Sequence, residues 1–79
     1  MKVKVLFFGA MAEAAGSRSQ EAQCQEGDSA GQLIDHMISN NPALTRHRIL
    51  FSVNEEYADR DLRLHDGDEI GIFTAVSGG

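Results

Sequence analysis

Polar and apolar residues alternate from the start of the chain as Lys2-Val3-Lys4-Val5, and three apolar residues then follow in a row, Leu6-Phe7-Phe8. Alternation has the two-residue period of a strand, and the apolar run predicts that its far end is covered on both faces. Gly9-Ala10-Met11-Ala12-Glu13-Ala14-Ala15-Gly16 comes next. Alanines favour helix and Gly16 suits a left-handed C-cap, so a helix of about two turns is expected here. Gln20 to Gln25 alternates again, with Ala22 and Cys24 on one side and Glu21, Gln23 and Gln25 on the other, the pattern of a half-buried strand.

The strongest helical pattern opens at Asp28-Ser29, where Ser29 and Gln32 have the spacing of a capping box. Ala30, Leu33, Ile34, Met37 and Ile38 then form one apolar stripe. Asn40-Asn41-Pro42 ends it, because a residue before proline avoids helical dihedrals, and Pro42 is read as part of a loop. Ile49 to Val53 predicts a strand with Ile49, Phe51 and Val53 on one face. Asn54-Glu55-Glu56 reads as a turn and Tyr57-Ala58 as a short return strand. Asp66-Gly67 marks another turn, and Glu69 to Val76 reads as the final strand, with Ile70, Ile72, Thr74 and Val76 on one face. Strand, short helix, strand, long helix and further strands make an α+β domain with a sheet packed on one long helix. The β-grasp is the commonest small fold with that order.

Length and charge narrow the function. Seventy-nine residues allow one small domain with a thin core, and exclude an enzyme that carries its own cofactor domain. Twelve acids against seven bases leave a net charge of −5, which disfavours nucleic acid and anionic membranes as partners. One cysteine makes neither an internal disulfide nor a four-cysteine metal site. No apolar run is long enough to span a bilayer, and the alternating start is unlike a signal peptide. The expectation is a reduced, cytoplasmic domain.

The interior offers little chemistry. There is no Gly-x-Gly-x-x-Gly and no P-loop, and His36, His47 and His65 share no metal-ligand spacing. Cys24 sits on the apolar side of its predicted strand with no adjacent base, as an inert thiol would. Asp66, Asp68 and Glu69 lack the twelve-residue calcium-loop pattern and read as a solvated turn. No metal and no bound cofactor are expected.

The end of the chain stands apart. Ala75-Val76-Ser77-Gly78-Gly79 follows directly on the predicted final strand, so residues 1–74 are expected to form the domain and 75–79 a flexible tail. Five residues reach about 17 Å at roughly 3.4 Å each. Without Cβ atoms, Gly78 and Gly79 could thread a narrow channel and present the Gly79 carboxylate to a partner's active site. A carboxylate is a poor electrophile until its oxygen becomes part of a leaving group, as in an acyl-adenylate.

Val5-Leu6-Phe7-Phe8-Gly9 through Gly16, Ser52-Val53-Asn54, Asp66-Gly67-Asp68-Glu69-Ile70 and the glycine pair together resemble the small subunit of molybdopterin synthase, a ubiquitin-like β-grasp sulfur carrier. The resemblance spans nearly the whole chain. It implies that Gly79 is adenylated with ATP by an activating enzyme, converted to a thiocarboxylate by a sulfur donor, and used by the large synthase subunit, in a heterotetramer, to build molybdopterin from cyclic pyranopterin monophosphate. The chain would not be catalytic alone, but the carrier subunit of a sulfurtransferase. Family members often carry prolines before the tail, where this chain has Phe73-Thr74-Ala75-Val76. The related carrier of thiamin thiazole synthesis shares the fold and the Gly-Gly end but tends to lack much of the Gly9–Gly16 segment. A carrier for tRNA thiolation or protein conjugation, and a binding module with incidental glycines, stay open as alternatives.

Two surface features follow from the pattern. If Val3, Val5 and Phe7 face the long helix, Leu6 and Phe8 point to the opposite face, as does Phe73 in the final strand. Leu6, Phe8 and Phe73, joined by Tyr57, then form a cluster outside the main core. It is either covered by the short helix or a loop, or left open as a partner site beside the tail, with Val76 and Ser77 extending it. Residues 55–69 hold seven acids and two bases, which accounts for the whole net charge. That segment is either a solvated face or a docking surface for basic partners.

Overall fold

The computed structural model describes residues 1–74. Its elements are β1 (Lys2–Phe7), α1 (Ala10–Ala15), β2 (Ser19–Gln23), α2 (Ala30–Asn40), β3 (Ile49–Val53), β4 (Glu56–Tyr57) and β5 (Glu69–Thr74), with a 3-10 helix at Pro42–Arg46. The five strands form one sheet in the order β2-β1-β5-β3-β4. β1 and β5 run parallel at its centre, and the other pairings are antiparallel.

Side-chain parity decides the core. Val3, Val5 and Phe7 of β1, Ile70 and Ile72 of β5 and Val53 of β3 are buried together with Ala30, Leu33, Ile34 and Met37 of α2. The register keeps partners on one face, pairing Val5 with Ile70 and Phe7 with Ile72 across β1 and β5. Burying such aliphatic and aromatic side chains contributes roughly 1.5–3 kcal/mol each, and is the main driving force for a domain of this size. Met11 of α1 and Leu44 of the 3-10 helix close the core at one end. The proline-led 3-10 helix stands where the pattern predicts only a loop.

The predicted capping box is present at α2: the Ser29 hydroxyl accepts from the Gln32 amide at 3.2 Å, and the Gln32 side chain accepts from the Ser29 amide at 2.8 Å. Two further first-turn amides of α2, those of Ala30 and Gly31, donate to the carbonyls of Leu62 and Arg60 at 2.8 and 2.9 Å. Residues 58–64 are thereby fastened along the start of α2, and Leu64 is buried beneath them. α1 ends at Gly16 in the left-handed conformation, as predicted.

Two boundaries and one burial pattern differ from expectation. β2 spans Ser19–Gln23 rather than Gln20–Gln25, because Gln25 turns away to bond Asp28. The return strand is Glu56–Tyr57, one residue earlier than Tyr57-Ala58. The far end of β1 is not covered on both faces: Phe8 is 52% exposed and Leu6 half-buried. α1 turns Met11 into the main core and packs against the 3-10 helix, so it does not lie over Phe8. Among the described residues, no helix is long and apolar enough to cross a membrane.

Candidate functional site: the open face of the sheet

The face of the sheet away from α2 is graded along the strands. At one end lies a charged row, with Lys4 paired to Glu21 of β2 and to Glu69 of β5. Opposite charges side by side across strands are mutually favourable, and they keep this end wet. One step along, Leu6 stands between Ser19 and Gly71, and Gly71 pairs in turn with Ser52, which pairs with Tyr57. At the far end Phe73 pairs with Leu50, and Phe8 follows just beyond β1.

The sequence-predicted residues Leu6, Phe8, Tyr57 and Phe73 are therefore brought together on one open surface. Tyr57 is 83% exposed, and its ring meets Phe73 edge-on with centroids 5.8 Å apart. Phe8 is held by its backbone, whose amide donates to the Ile72 carbonyl at 2.9 Å. Leu50 belongs to the same surface and was not anticipated. The signal was available, since placing Ile49, Phe51 and Val53 inward puts Leu50 and Ser52 outward. A small domain seldom leaves three aromatics and two leucines on one face without a partner.

The position of this surface gives it meaning. β1 and β5 are parallel, so the apolar end of the face is also the end at which β5 finishes at Thr74. The predicted site residues Val76, Ser77, Gly78 and Gly79 lie outside the described residues.

The acidic segment divides in two. Asp66 accepts from the Lys2 amide at 2.9 Å, and Asp68 accepts from the His65 amide at 2.7 Å and from Asn54 Nδ2 at 3.0 Å. These two carboxylates hold turns. Glu55, Glu56, Asp59 and Asp61 are exposed in and beyond the hairpin that carries Tyr57. Arg60 points the other way, onto Asp35 of α2 at 2.6 Å. The neighbouring carboxylate holds the Arg60 guanidinium above its ordinary range.

Cys24 is half-buried against the core, not fully buried, and burial pushes its thiol up, with Asp28 adding to the effect. His36, His47 and His65 are exposed and apart, and no group of three or more metal-binding side chains converges among the described residues. What the face offers chemically is recognition: an apolar, aromatic grip with an acidic hairpin on one side and a strand end pointing past it.

A mixed five-stranded sheet crossed by one long helix, with the last strand laid in its centre, defines the ubiquitin-like β-grasp class. The chain belongs to the ThiS family, whose match covers residues 5–79. It is similar to the molybdopterin synthase sulfur carrier subunit of Mycobacterium tuberculosis, at 37% identity over 100% of this chain and 99% of that one. The human molybdopterin synthase sulfur carrier subunit is 36% identical over 99% of this chain and 94% of its own. Among solved structures, a putative molybdopterin converting factor subunit 1 from Pyrococcus furiosus superposes with a TM-score of 0.89 at 27% identity, covering 96% of this chain and 99% of that one.

Proposed function

We propose that this chain is the sulfur carrier of molybdopterin synthesis and that it works through the carboxylate of Gly79. The observation that carries this reading is the junction of the open aromatic face with the end of β5, from which three residues, Ala75 to Ser77, lead to the glycine pair. The names of the full-length relatives support the same reading.

The chemistry follows from the carboxylate. Its oxygen attacks the α-phosphorus of ATP on an activating enzyme and pyrophosphate leaves. The acyl-adenylate is then attacked by the terminal sulfur of a donor protein's persulfide, AMP leaves with the bonding pair, and a second thiol cleaves the resulting acyl disulfide, freeing the acyl-bound sulfur and leaving a disulfide behind. The product is a thiocarboxylate, whose sulfur is ionised at neutral pH and therefore nucleophilic. In complex with the large synthase subunit, the sulfur bonds to cyclic pyranopterin monophosphate, and water hydrolyses the resulting thioester, so the sulfur stays on the pterin and the carboxylate returns. This chain supplies the docking face and the carried group, and the partners supply catalysis and ATP. The work belongs in the reducing cytoplasm.

Leu6, Phe8, Leu50, Tyr57 and Phe73 form the docking face in this reading, Val76 and Ser77 continue it, and Gly78 passes the partner's channel. The test is the intact mass of the protein after coexpression with its activating enzyme and sulfur donor. Replacement of one oxygen by sulfur, its loss on adding large subunit and cyclic pyranopterin monophosphate, and its absence when Gly79 is deleted are the expected results. An unchanged mass would sink the carrier reading. A thiocarboxylate that the large subunit and pterin leave untouched would move the chain to another sulfur pathway.

A further inference from the structure

Gly71 is buried in the middle of β5 on the open face, and two side chains close on the space its own would need. A Cβ there would lie 2.8 Å from Ser52 Oγ, 3.2 Å from Phe8 Cε2 and 4.0 Å from Phe8 Cδ2. Gly71 pairs with Leu6, two residues before Phe8, so the Phe8 ring leans back along the strands to reach it. The backbone does not require glycine, because Gly71 is absent from the positive-φ positions. Space alone does.

Phe8 is consequently half exposed yet fixed at two points, by its amide on Ile72 and by its ring edge over Gly71. An aromatic laid over a strand glycine from a neighbouring strand is a recognised way of pinning a sheet. Here the pinned ring belongs to the docking face.

We infer that Gly71 is a positioning residue for docking: its missing side chain seats the Phe8 ring in the orientation the partner grips. The inference rests on the docking face proposed above. A ring already held in place loses less rotamer freedom on binding than one that must be ordered. Any Cβ at position 71 presses on both neighbours. Ser52 Oγ ends a short side chain and turns aside by rotating, whereas the ring is displaced. Alanine moves it by a few tenths of an ångström, and valine, with two more methyl groups, drives it off β5. A glycine-to-alanine or glycine-to-valine change in a strand ordinarily strengthens the strand. Stability and affinity are therefore expected to part company, a pattern that a merely structural role would not produce.

Two measurements test this. In the free protein, NMR reads the α-proton of Gly71 that occupies the Cβ direction. The ring current of Phe8 displaces its shift, and Phe8→Leu removes the displacement. Calorimetric titration with the large molybdopterin synthase subunit then compares Gly71→Ala and Gly71→Val, each alone and combined with Phe8→Ala. The expected results are an affinity loss of about tenfold for valine and about threefold for alanine, with no lower unfolding temperature, and less than about twofold for either change in the Phe8→Ala background. Should valine fail to fold, alanine alone decides. Wild-type affinity in the glycine variants, an undiminished loss without Phe8, or an unchanged Gly71 shift in Phe8→Leu would overturn the inference. If Phe8→Ala binds like wild type, the docking face itself fails and the inference with it, while the NMR shift still reports whether the ring is seated.

Discussion

Tyr57 and Phe73 meet edge-to-face across β3, with ring planes at 61°, Tyr57 pairing with Ser52 and Phe73 with Leu50 of the intervening strand. The contact ties the two-residue strand β4 to the sheet centre. An aromatic pair of this geometry contributes about 0.5–1.5 kcal/mol beyond its buried area. Because Tyr57 is 83% exposed, Tyr57→Ala is expected to cost no more than about 1 kcal/mol of stability. Phe8→Ala and Phe73→Ala are each expected to weaken partner binding by about 2 kcal/mol or more, the scale of an aromatic anchor. Denaturant unfolding alongside calorimetric titration separates the two effects. Loss of folding with unchanged affinity per folded molecule would assign these rings to the core.

Gly31, in the first turn of α2, is expected to resist replacement by alanine. A Cβ there would lie 2.9 Å from Arg60 Cβ and 3.0 Å from its Cζ and Nε. Alanine raises helix propensity by about 1 kcal/mol over glycine. Here it also pushes Arg60 and its chain off α2, breaking the Gly31–Arg60 backbone bond. The unfolding midpoint of Gly31→Ala should fall by several degrees. Asp35→Asn removes only the exposed ion pair with Arg60 and should leave the midpoint nearly unchanged.

Cys24 should be a slow thiol. Burial, then Asp28, raises its pKa above the ordinary value of 9.0, and the N-terminal ammonium opposes them. Alkylation at neutral pH should run slower than for a free cysteine peptide. The folded thiol holds its proton to higher pH than the unfolded one, so its contribution to stability is complete below pH 9.0 and is lost as pH rises through and above that value. Cys24→Ser should flatten this alkaline decline while thiocarboxylate formation continues. Loss of the thiocarboxylate in that variant would place the carried sulfur on the side chain instead.

Exposed Glu55, Glu56, Asp59 and Asp61 surround the hairpin beside the aromatic face. If they draw in a basic partner, association slows as salt rises while dissociation changes little. Stopped-flow association between low and physiological salt measures this. Replacing the four by their amides should remove most of the salt dependence, and rates insensitive to salt would make the hairpin a solvated face only.

Much of this fold is legible because strand parity is a local property. Val3, Val5 and Phe7 declare one face of β1, and Ile70 and Ile72 one face of β5, without knowledge of any neighbour. The Ser29–Gln32 box is equally local. The 3-10 helix at Pro42–Arg46 was hidden because a five-residue turn carries no repeating apolar period. The open position of Phe8 was one of the two readings that parity allowed, and parity alone did not choose between them. The role of Gly71 was hidden for a different reason, because a glycine's crowding depends on side chains from two other strands. Leu50 was within reach of parity alone, since Ile49, Phe51 and Val53 facing inward place it outward.

Because β5 lies between β1 and β3, the sheet is finished by its last strand. Before residues 69–74 are available, β1–β2 and β3–β4 are two separate hairpins with no edge in common. Joining the first strand to the last closes most of the chain into one loop, which makes folding dependent on distant contacts and delays it until synthesis has passed β5. The aromatic face draws on β1, β5, β3 and β4, so a nascent or truncated chain does not possess it. A partner that recognises this face thereby inspects the carrier for completeness, and meets only chains whose final strand is already in place.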